Sequence, residues 1–427
     1  MAGTTGNGFL KEERVAFDEA AMDFEDSSVY TELAETRSLG GSVQAERTDN
    51  TVWVPMPFQM DSEEGRDQTG NFHGHEELGV PISVDRHRSV PFTLSASELR
   101  NPNALARRRK AAVSRLSSDV EAALKRQAVF YGSIVDVREG QATGFDDVAS
   151  LMQKFDTQGV PSNDRVALYN TRDMVKMAAD LASRQTLSGK TQTAYDKAYI
   201  NEIAGFSLHK DSTATYLKAA TVVGGTVSGA NQRHIPRATV KNAASGNSHN
   251  VDNRSMKLTV AKTSGDWQVG DAFTIAGVYA IHQKEKTPTG ELKTFRVVGV
   301  DSATQIEIIP AIVATDGAMP TTSESQYQNV SATPAAGAAI TMLNKKDAYV
   351  NTAFVKGIIE IVPATLELDP KDGWQTMSTT LKSGIQLHYS RQADINDLAI
   401  KARWDITFGT ALLNPEMAGI QLMNQGA

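Results

Sequence analysis

From residue 222 to about residue 344 the chain reads as short strands punctuated by glycines, and this stretch interrupts mixed α/β sequence that resumes after it. That order constrains the fold more than any single motif, because strands from both sides of an insertion can complete one sheet only if the inserted module folds on itself. Residues 257–261 alternate, Gly265-Asp266 and Gly270-Asp271 mark turns, and residues 273–278, 295–300 and 305–309 follow as strands with short connections. Regular short strands in a module of this size predict a small closed barrel. Within it, residues 241–253 are rich in Asn, Ser, Gly and His and read as a projecting loop.

Ahead of the insert a long charged helix is predicted over residues 104–131, with Ser95 and Glu98 as a possible capping box and Asn101-Pro102 as a break before it. Val113, Leu116, Val120 and Leu124 recur at three- and four-residue steps, so one stripe faces a core. Such a helix spans about 42 Å at 1.5 Å per residue. Arg107, Arg108, Arg109, Lys110 and Arg115 crowd its beginning, where the helix dipole disfavours cations unless carboxylates compensate. Arg107, Arg108 and Arg109 therefore point to salt bridges between subunits, with nucleic acid as the alternative partner.

Residues 9–37 read as one or two amphipathic helices, with Phe9, Val15, Phe17, Met22, Val29 and Leu33 among nine acidic and three basic side chains. Two readings stand: a docking arm for a neighbouring subunit or a basic partner, and an ordinary N-terminal helix packed on its own domain. Residues 49–55 alternate like a strand that stops at Pro55, a polar, acidic stretch follows at residues 61–67, and a second alternating run lies near residues 80–90. This predicts a long hairpin with a charged tip. His73, His75 and Glu77 lie in it, but their glycine-containing stretch does not read as the helix that an i, i+4 metal-ligand pair needs. Further on, a helix over residues 145–156, a turn at Gly159-Val160-Pro161, a strand over 165–169 and a helix over 171–183 make the α/β middle. Strands are predicted over residues 347–362, 374–390 and 398–408.

The 427 residues allow two or three domains. There is no cysteine, hence no disulfide framework and no thiolate metal site, and stability has to come from packing and subunit contacts. No apolar run approaches the ~20 residues that span a bilayer, and the polar start lacks the features of a signal peptide, which points to a cytoplasmic chain. The net charge of −7 argues weakly against a large nucleic-acid face. Residues 222–346 carry twelve basic and nine acidic side chains, so the rest of the chain is the more acidic part, a pattern that suits modules meeting different partners. No Gly-x-Gly-x-x-Gly follows a strand, no Walker loop occurs, and no serine or histidine has a nucleophile-elbow context. No catalytic residue, cofactor or metal is assigned. A building block is the preferred reading; a β-rich adhesin or tail-type binding protein, and a hydrolase whose His and Asp residues meet only in three dimensions, are the alternatives.

The chain resembles the major capsid (coat) proteins of short-tailed bacteriophages of the Salmonella phage type, which have the Hong Kong 97-like capsid fold with an inserted β-barrel domain. The resemblance runs along nearly the whole chain. It rests on Asp49-Asn50-Thr51-Val52-Trp53-Val54-Pro55, on Glu98-Leu99-Arg100 followed by Arg107-Arg108-Arg109, and on Ile203-Ala204-Gly205-Phe206. It continues through Thr226-Val227-Ser228-Gly229-Ala230, Asn250-Val251-Asp252-Asn253-Arg254 and Gly270-Asp271 with Phe273 and Ile275-Ala276-Gly277-Val278. It implies an α+β chain with an N-terminal arm at residues 1–37 and a peripheral domain at 38–52 and 81–144, whose spine helix is 104–131. It also implies an extended loop at 53–80, an axial domain with the remaining peripheral strands at 145–221 and 347–427, and the inserted barrel at 222–346.

Implied partners are further copies of the chain in pentamers and hexamers, a scaffolding protein, a portal protein and weakly contacted double-stranded DNA, with no membrane. The implied interface residues are Asp18, Glu19 and Asp23 in the arm, Trp53, Glu63, Glu64 and Arg66 in the loop, Arg107, Arg108 and Arg109 at the helix start, and Lys241, Asp252 and Arg254 near the projecting loop. The centre of that loop, Ala243-Ala244-Ser245-Gly246-Asn247, lacks the charge of the family's two-fold contact, although Lys241, Asp252 and Arg254 stand beside it. Assembly in the host cytoplasm into a virion shell, without enzymatic activity, is the implied role.

Overall fold

The computed structural model describes residues 11–26, 29–37, 51–60, 62, 65–67, 69, 72, 74–95, 102–183, 202–211, 215–242, 246–317, 320–364, 375–381, 384–394 and 399–426. Two compact units emerge: residues 1–52, 81–125 and 359–411 form one, and residues 53–80, 126–358 and 412–427 form the other.

The first unit opens with α1 (Lys11–Asp26), α2 (Tyr30–Leu33) and β1 (Glu35–Thr36). β2 (Thr51–Pro55) and β3 (Gly79–Ser83), whose residues 53–55 and 79–80 belong to the second unit, pair at the base of the predicted hairpin, and β4 (Arg86–Ser95) follows. The long helix α3 (Pro102–Tyr131) starts at a proline, whose fixed φ suits the first helical position. Its stripe Val113, Leu116, Val120 and Leu124 is fully buried. The sheet of this unit runs β1-β19-β22-β21-β20, with β19 (Ile359–Pro363), β20 (Gln375–Thr380), β21 (Gln386–Asp394) and β22 (Ala399–Leu412), and β4 pairs with β22. Phe17, Ala20 and Phe24 of α1 are buried, and Phe17 stacks on Trp404 of β22 at 5.5 Å. The N-terminal helix therefore packs on its own unit.

α2 is held from a distance. The buried Glu121 of α3 accepts hydrogen bonds from Tyr30 N (2.8 Å), Thr31 N (3.0 Å) and Thr31 Oγ1 (3.0 Å), satisfying amides that a helix start leaves without partners. Burial pushes the Glu121 carboxyl above its ordinary range, against these hydrogen bonds, which pull it down. The folded state thus binds a proton here more tightly than the unfolded chain. This group favours folding below its ordinary pKa, and that contribution is lost as pH rises through the raised folded value. In urea titrations the stability advantage of the native chain over Glu121→Gln is expected to grow as pH falls from neutral through the carboxyl range; a pH-independent difference would refute the linkage.

In the second unit, strands from both sides of the insert share one sheet. Its order is β5-β23-β18-β6-β8-β7, with β5 (Ile134–Val137), β6 (Arg165–Asn170), β7 (Glu202–Ile203), β8 (Phe206–Asp211), β18 (Ala348–Val355) and β23 (Ala418–Leu422), and β9 (Tyr216–Leu217) adds to β18. β5 is parallel to β23 and β6 to β8, as α/β connections through α4 (Phe145–Thr157) and α5 (Thr171–Ser183) allow. Every residue of β6 is buried, as expected of a central strand covered by helices. Tyr169 Oη donates to Gln421 Oε1 (2.7 Å), and Gln421 Nε2 donates to Asp136 Oδ2 (2.7 Å), so the polar groups inside this core are paired with one another.

The insert's main sheet is β10-β13-β16-β15-β14-β17, built from β10 (Thr226–Val227), β13 (Met256–Ala261), β14 (Ala272–Ile281), β15 (Pro288–Ser302), β16 (Gln305–Ile309) and β17 (Ile340–Met342). Val227 N donates to Ala338 O (2.9 Å) and Ile340 N to Gly225 O (2.8 Å), joining the two edges of the sheet around a core that includes Trp267, Phe273 and Phe295. β11 (Thr239–Lys241) pairs with β12 (Ser248–Asn250), and α6 (Thr322–Gln326) starts in a capping box of Thr321 and Glu324.

Several expectations change. Residues 241–253 are not loop throughout, since an exposed hairpin of β11 and β12 occupies both ends of the Asn- and Ser-rich stretch. Residues 347–362 make two strands rather than one, broken at Gly357, whose φ of 84° is readily reached only by glycine. Residues 374–390 likewise fold back on themselves as β20 and β21. The readings at Glu63, Glu64, His73 and Glu98 lie outside the described residues.

Candidate assembly surfaces

On α1, Asp18, Glu19, Met22 and Asp23 face solvent, opposite the buried Phe17, Ala20 and Phe24. The three acids are thus displayed, and Glu19 is engaged by Arg109 (3.3 Å). Arg108 donates to Thr93 O (2.6 Å), and Arg115 pairs with Asp119 one turn on (3.1 Å). The expected clash of cations with the helix dipole is relieved locally by these acceptors. Arg107 is exposed at the same end.

Trp53 of β2 is half-buried, with Gly79 of β3 beneath its ring, so close that an added Cβ would lie 3.2 Å from Trp53 Cε3. Arg66 is exposed. Phe58, Met60 and Phe72 are large apolar side chains exposed by 45%, 64% and 90%.

Lys241 lies exposed on the hairpin. Asp252 and Arg254 do not stand free beside it, which corrects the expectation that they are available to a neighbour. Arg254 Nε and Nη2 both bond the Asp252 carboxylate (3.0 and 2.7 Å), Nη1 donates to Leu412 O (2.7 Å), and the guanidinium lies over the Tyr131 ring. A buried guanidinium is tolerated only with such partners. Arg254 is therefore part of the seat that joins the insert to the chain around it.

The same seat contains a pair that sequence reading missed. Lys293 of β15, 1% exposed, contacts the carboxylate of Glu416, which follows β22. Next to it Thr294 Oγ1 donates to Ser133 O (2.6 Å). Gln283 N donates to Gln158 O (3.1 Å), and the His282 ring lies against Gly159, where a Cβ would approach within 2.6 Å. Inside the insert Arg296 is fully buried; Gly270 O accepts from it (2.8 Å), and burial lowers its pKa to about 10, against the pull of Asp271.

Among the described residues histidine and aspartate converge on one face of the sheet of β4, β22 and β21. Asp405 is held by Arg403 through two contacts of 2.6 Å, with His87 at 3.3 Å and His388 on the opposite strand. Burial lowers the pKa of His388, while Asp405 raises it. Both Asp405 oxygens accept from Arg403, and His87 Nδ1 lies 2.8 Å from Thr407 Oγ1, so the histidine is held in an ion-paired cluster around Asp405. Among the described residues no group of three His, Cys, Asp or Glu could hold a metal ion, and no helix is long and apolar enough to cross a membrane.

Exposed acids on α1 and exposed apolar side chains between β2 and β3 are surfaces suited to contacts between proteins. Residues 3–424 match the family described as "P22 coat protein - gene protein 5", and the chain belongs to that family. It is a phage major capsid protein, and its place is the virion shell. Among solved structures it is similar to a chain of Mycobacterium phage Che8, at 11% identity over 94% of this chain and 92% of that one, with a TM-score of 0.43. It is similar also to bacteriophage PhiM1 mature capsid, at 7% identity over 99% and 90%, with a TM-score of 0.44. The CUS-3 coat protein I-domain is 39% identical, covering 30% of this chain and 100% of that one, with a TM-score of 0.23.

Proposed function

We propose that this coat protein builds an icosahedral shell from pentamers and hexamers of a Hong Kong 97-like subunit with an inserted β-barrel, assembled in the bacterial cytoplasm around a scaffolding protein and a portal. The observation that carries this reading is the family match over residues 3–424. The hydrogen bonds of Val227 and Ile340, which join the two edges of the insert's sheet, support the barrel. On this reading residues 1–37 are the arm, 53–80 the extended loop lying over a neighbour, 222–346 the insert, and the rest the peripheral and axial domains. Packaged DNA touches the inner wall weakly and without sequence preference, consistent with the net charge of −7. Many modest polar contacts, repeated over the copies, close the shell.

Electron microscopy of the protein produced with and without its scaffolding partner tests the reading. Closed icosahedral shells with the partner, and aberrant or absent shells without it, are expected. A stable monomer under both conditions would overturn it.

Asp18, Glu19 and Asp23 recruit a basic segment of the scaffolding protein. Their exposure on α1 supports this role, and exposed charges act mostly through steering and salt-sensitive attraction. The triple substitution Asp18→Asn, Glu19→Gln, Asp23→Asn is expected to leave the subunit's melting temperature within a few degrees of native and to cut procapsid yield severalfold. Normal shells at native yield would refute the assignment.

A further inference from the structure

The extended loop is clasped by the insert of its own chain. Gln326, at the end of α6 and 1% exposed, grips both sides of the stem, just beyond β2 and just before β3: its Nε2 donates to Gln59 O (2.7 Å), and its Oε1 accepts from Glu76 N (3.1 Å). An amide side chain suits this place because it donates and accepts at once. The neighbouring Tyr327 donates through its hydroxyl to Glu76 O (2.8 Å), and burial pushes the pKa of that hydroxyl up to about 12, which favours the protonated donor. Its ring packs with Leu78 and Val313 in a small core against which Met56 lies. Two further bonds tie the stem to other parts of the insert: Ala238 N donates to Glu76 Oε2 (3.1 Å), and Lys286 Nζ to Gln59 Oε1 (3.1 Å). Every partner in the clasp is more than 150 residues distant along the chain from the stem residue it holds.

Near and beyond the clasp the loop exposes Phe58, Met60 and Phe72, with Phe58 edge-on to His75. Exposed apolar side chains of this size on one loop mark a contact surface. Their direction of exit from the subunit is set where the stem is gripped, since a loop held on both sides has lost most of the freedom of its base.

We propose that the insert is a positioning device for the extended loop: Gln326, Tyr327 and Lys286 aim Phe58, Met60 and Phe72 at a second copy of this chain. The insert then shapes the shell without touching the neighbour at that point. This inference rests on the reading of the loop as the part that lies over a neighbouring subunit. It predicts that damage to one face of the insert is felt as a fault in how copies join.

Hydrogen exchange on the purified full-length subunit, followed by assembly, tests it. In Gln326→Ala, amide protection at residues 56–60 and 74–78 is expected to fall about tenfold, the equivalent of one to two net hydrogen bonds, with β14, β15 and β16 unchanged. The double variant Tyr327→Phe, Lys286→Ala, which keeps the ring in place, is expected to do the same, and it decides the matter if Gln326→Ala loosens the insert as a whole. Both variants are expected to give mis-sized or incomplete shells. Unchanged protection of the stem in the double variant overturns the clasp, and a loosened stem with native shells overturns its role in assembly. If the native chain itself forms no shells, the proposed function fails, while the exchange result still decides the clasp.

Discussion

Lys293→Met is expected to lower the unfolding free energy by about 3–5 kcal/mol, because it strands the Glu416 carboxylate, a tenth exposed, in a site built around a cation. The size of the effect comes from an uncompensated charge rather than from the worth of the pair. Replacing both partners by apolar side chains, Lys293→Met with Glu416→Leu, is accordingly expected to recover most of the loss. Urea denaturation of the three proteins at one pH measures this. A loss below about 1 kcal/mol in the single variant would mean that water reaches Glu416 and that the pair behaves as a surface salt bridge. Because Thr294, Gln283 and Arg254 bond neighbouring parts of the same seat, the single variant is also expected to free the insert from the chain around it.

Trp404→Ala is expected to cost a similar amount, about 3–5 kcal/mol, by opening a large cavity between α1 and the sheet of the first unit. Trp404 is 2% exposed, stacks on Phe17 and lies 4.8 Å from Tyr389. Its loss removes the platform on which the arm lies. Limited trypsin digestion of the segment that includes α1 should therefore accelerate along with the drop in stability, whereas Trp404→Phe should show a smaller change in both. Native digestion rates in Trp404→Ala would show that α1 holds without the stack.

Much of this architecture was legible where periodicity is strong and contacts are local. The helix over residues 171–183 and the strand over 305–309 agree with the structure at both ends, since a clear apolar period was bounded by turn residues on each side. The breaks after β18 and β20 were missed because each is signalled by little more than one glycine, Gly357 or Gly384, within residues that otherwise favour strand. The acids of the arm could be placed from the amphipathic pattern of α1. The seat could not: Lys293 and Glu416 are 123 positions apart, and nothing in either neighbourhood marks a charge that will be buried. Asp252 and Arg254 show the opposite failure. Two residues apart, they look like free surface charges, and only the fold reveals that Tyr131 and Leu412 enclose the arginine. The clasp on the extended loop was invisible for the same reason, since glutamine and tyrosine carry no mark of what they will hold.

The place of β23 has a consequence for how the protein is made. It lies between the edge strand β5 and β18, pairing Gly419 with Ile134 and Thr352 with Ile420. During synthesis the ribosome has released β5, both helices of the α/β layer and the entire insert before these residues leave the exit tunnel. Until then β5 and one edge of β18 lack this partner, and long-range pairing of this kind is slow even afterwards. The sheet of the second unit is therefore completed only after residue 422 has been translated.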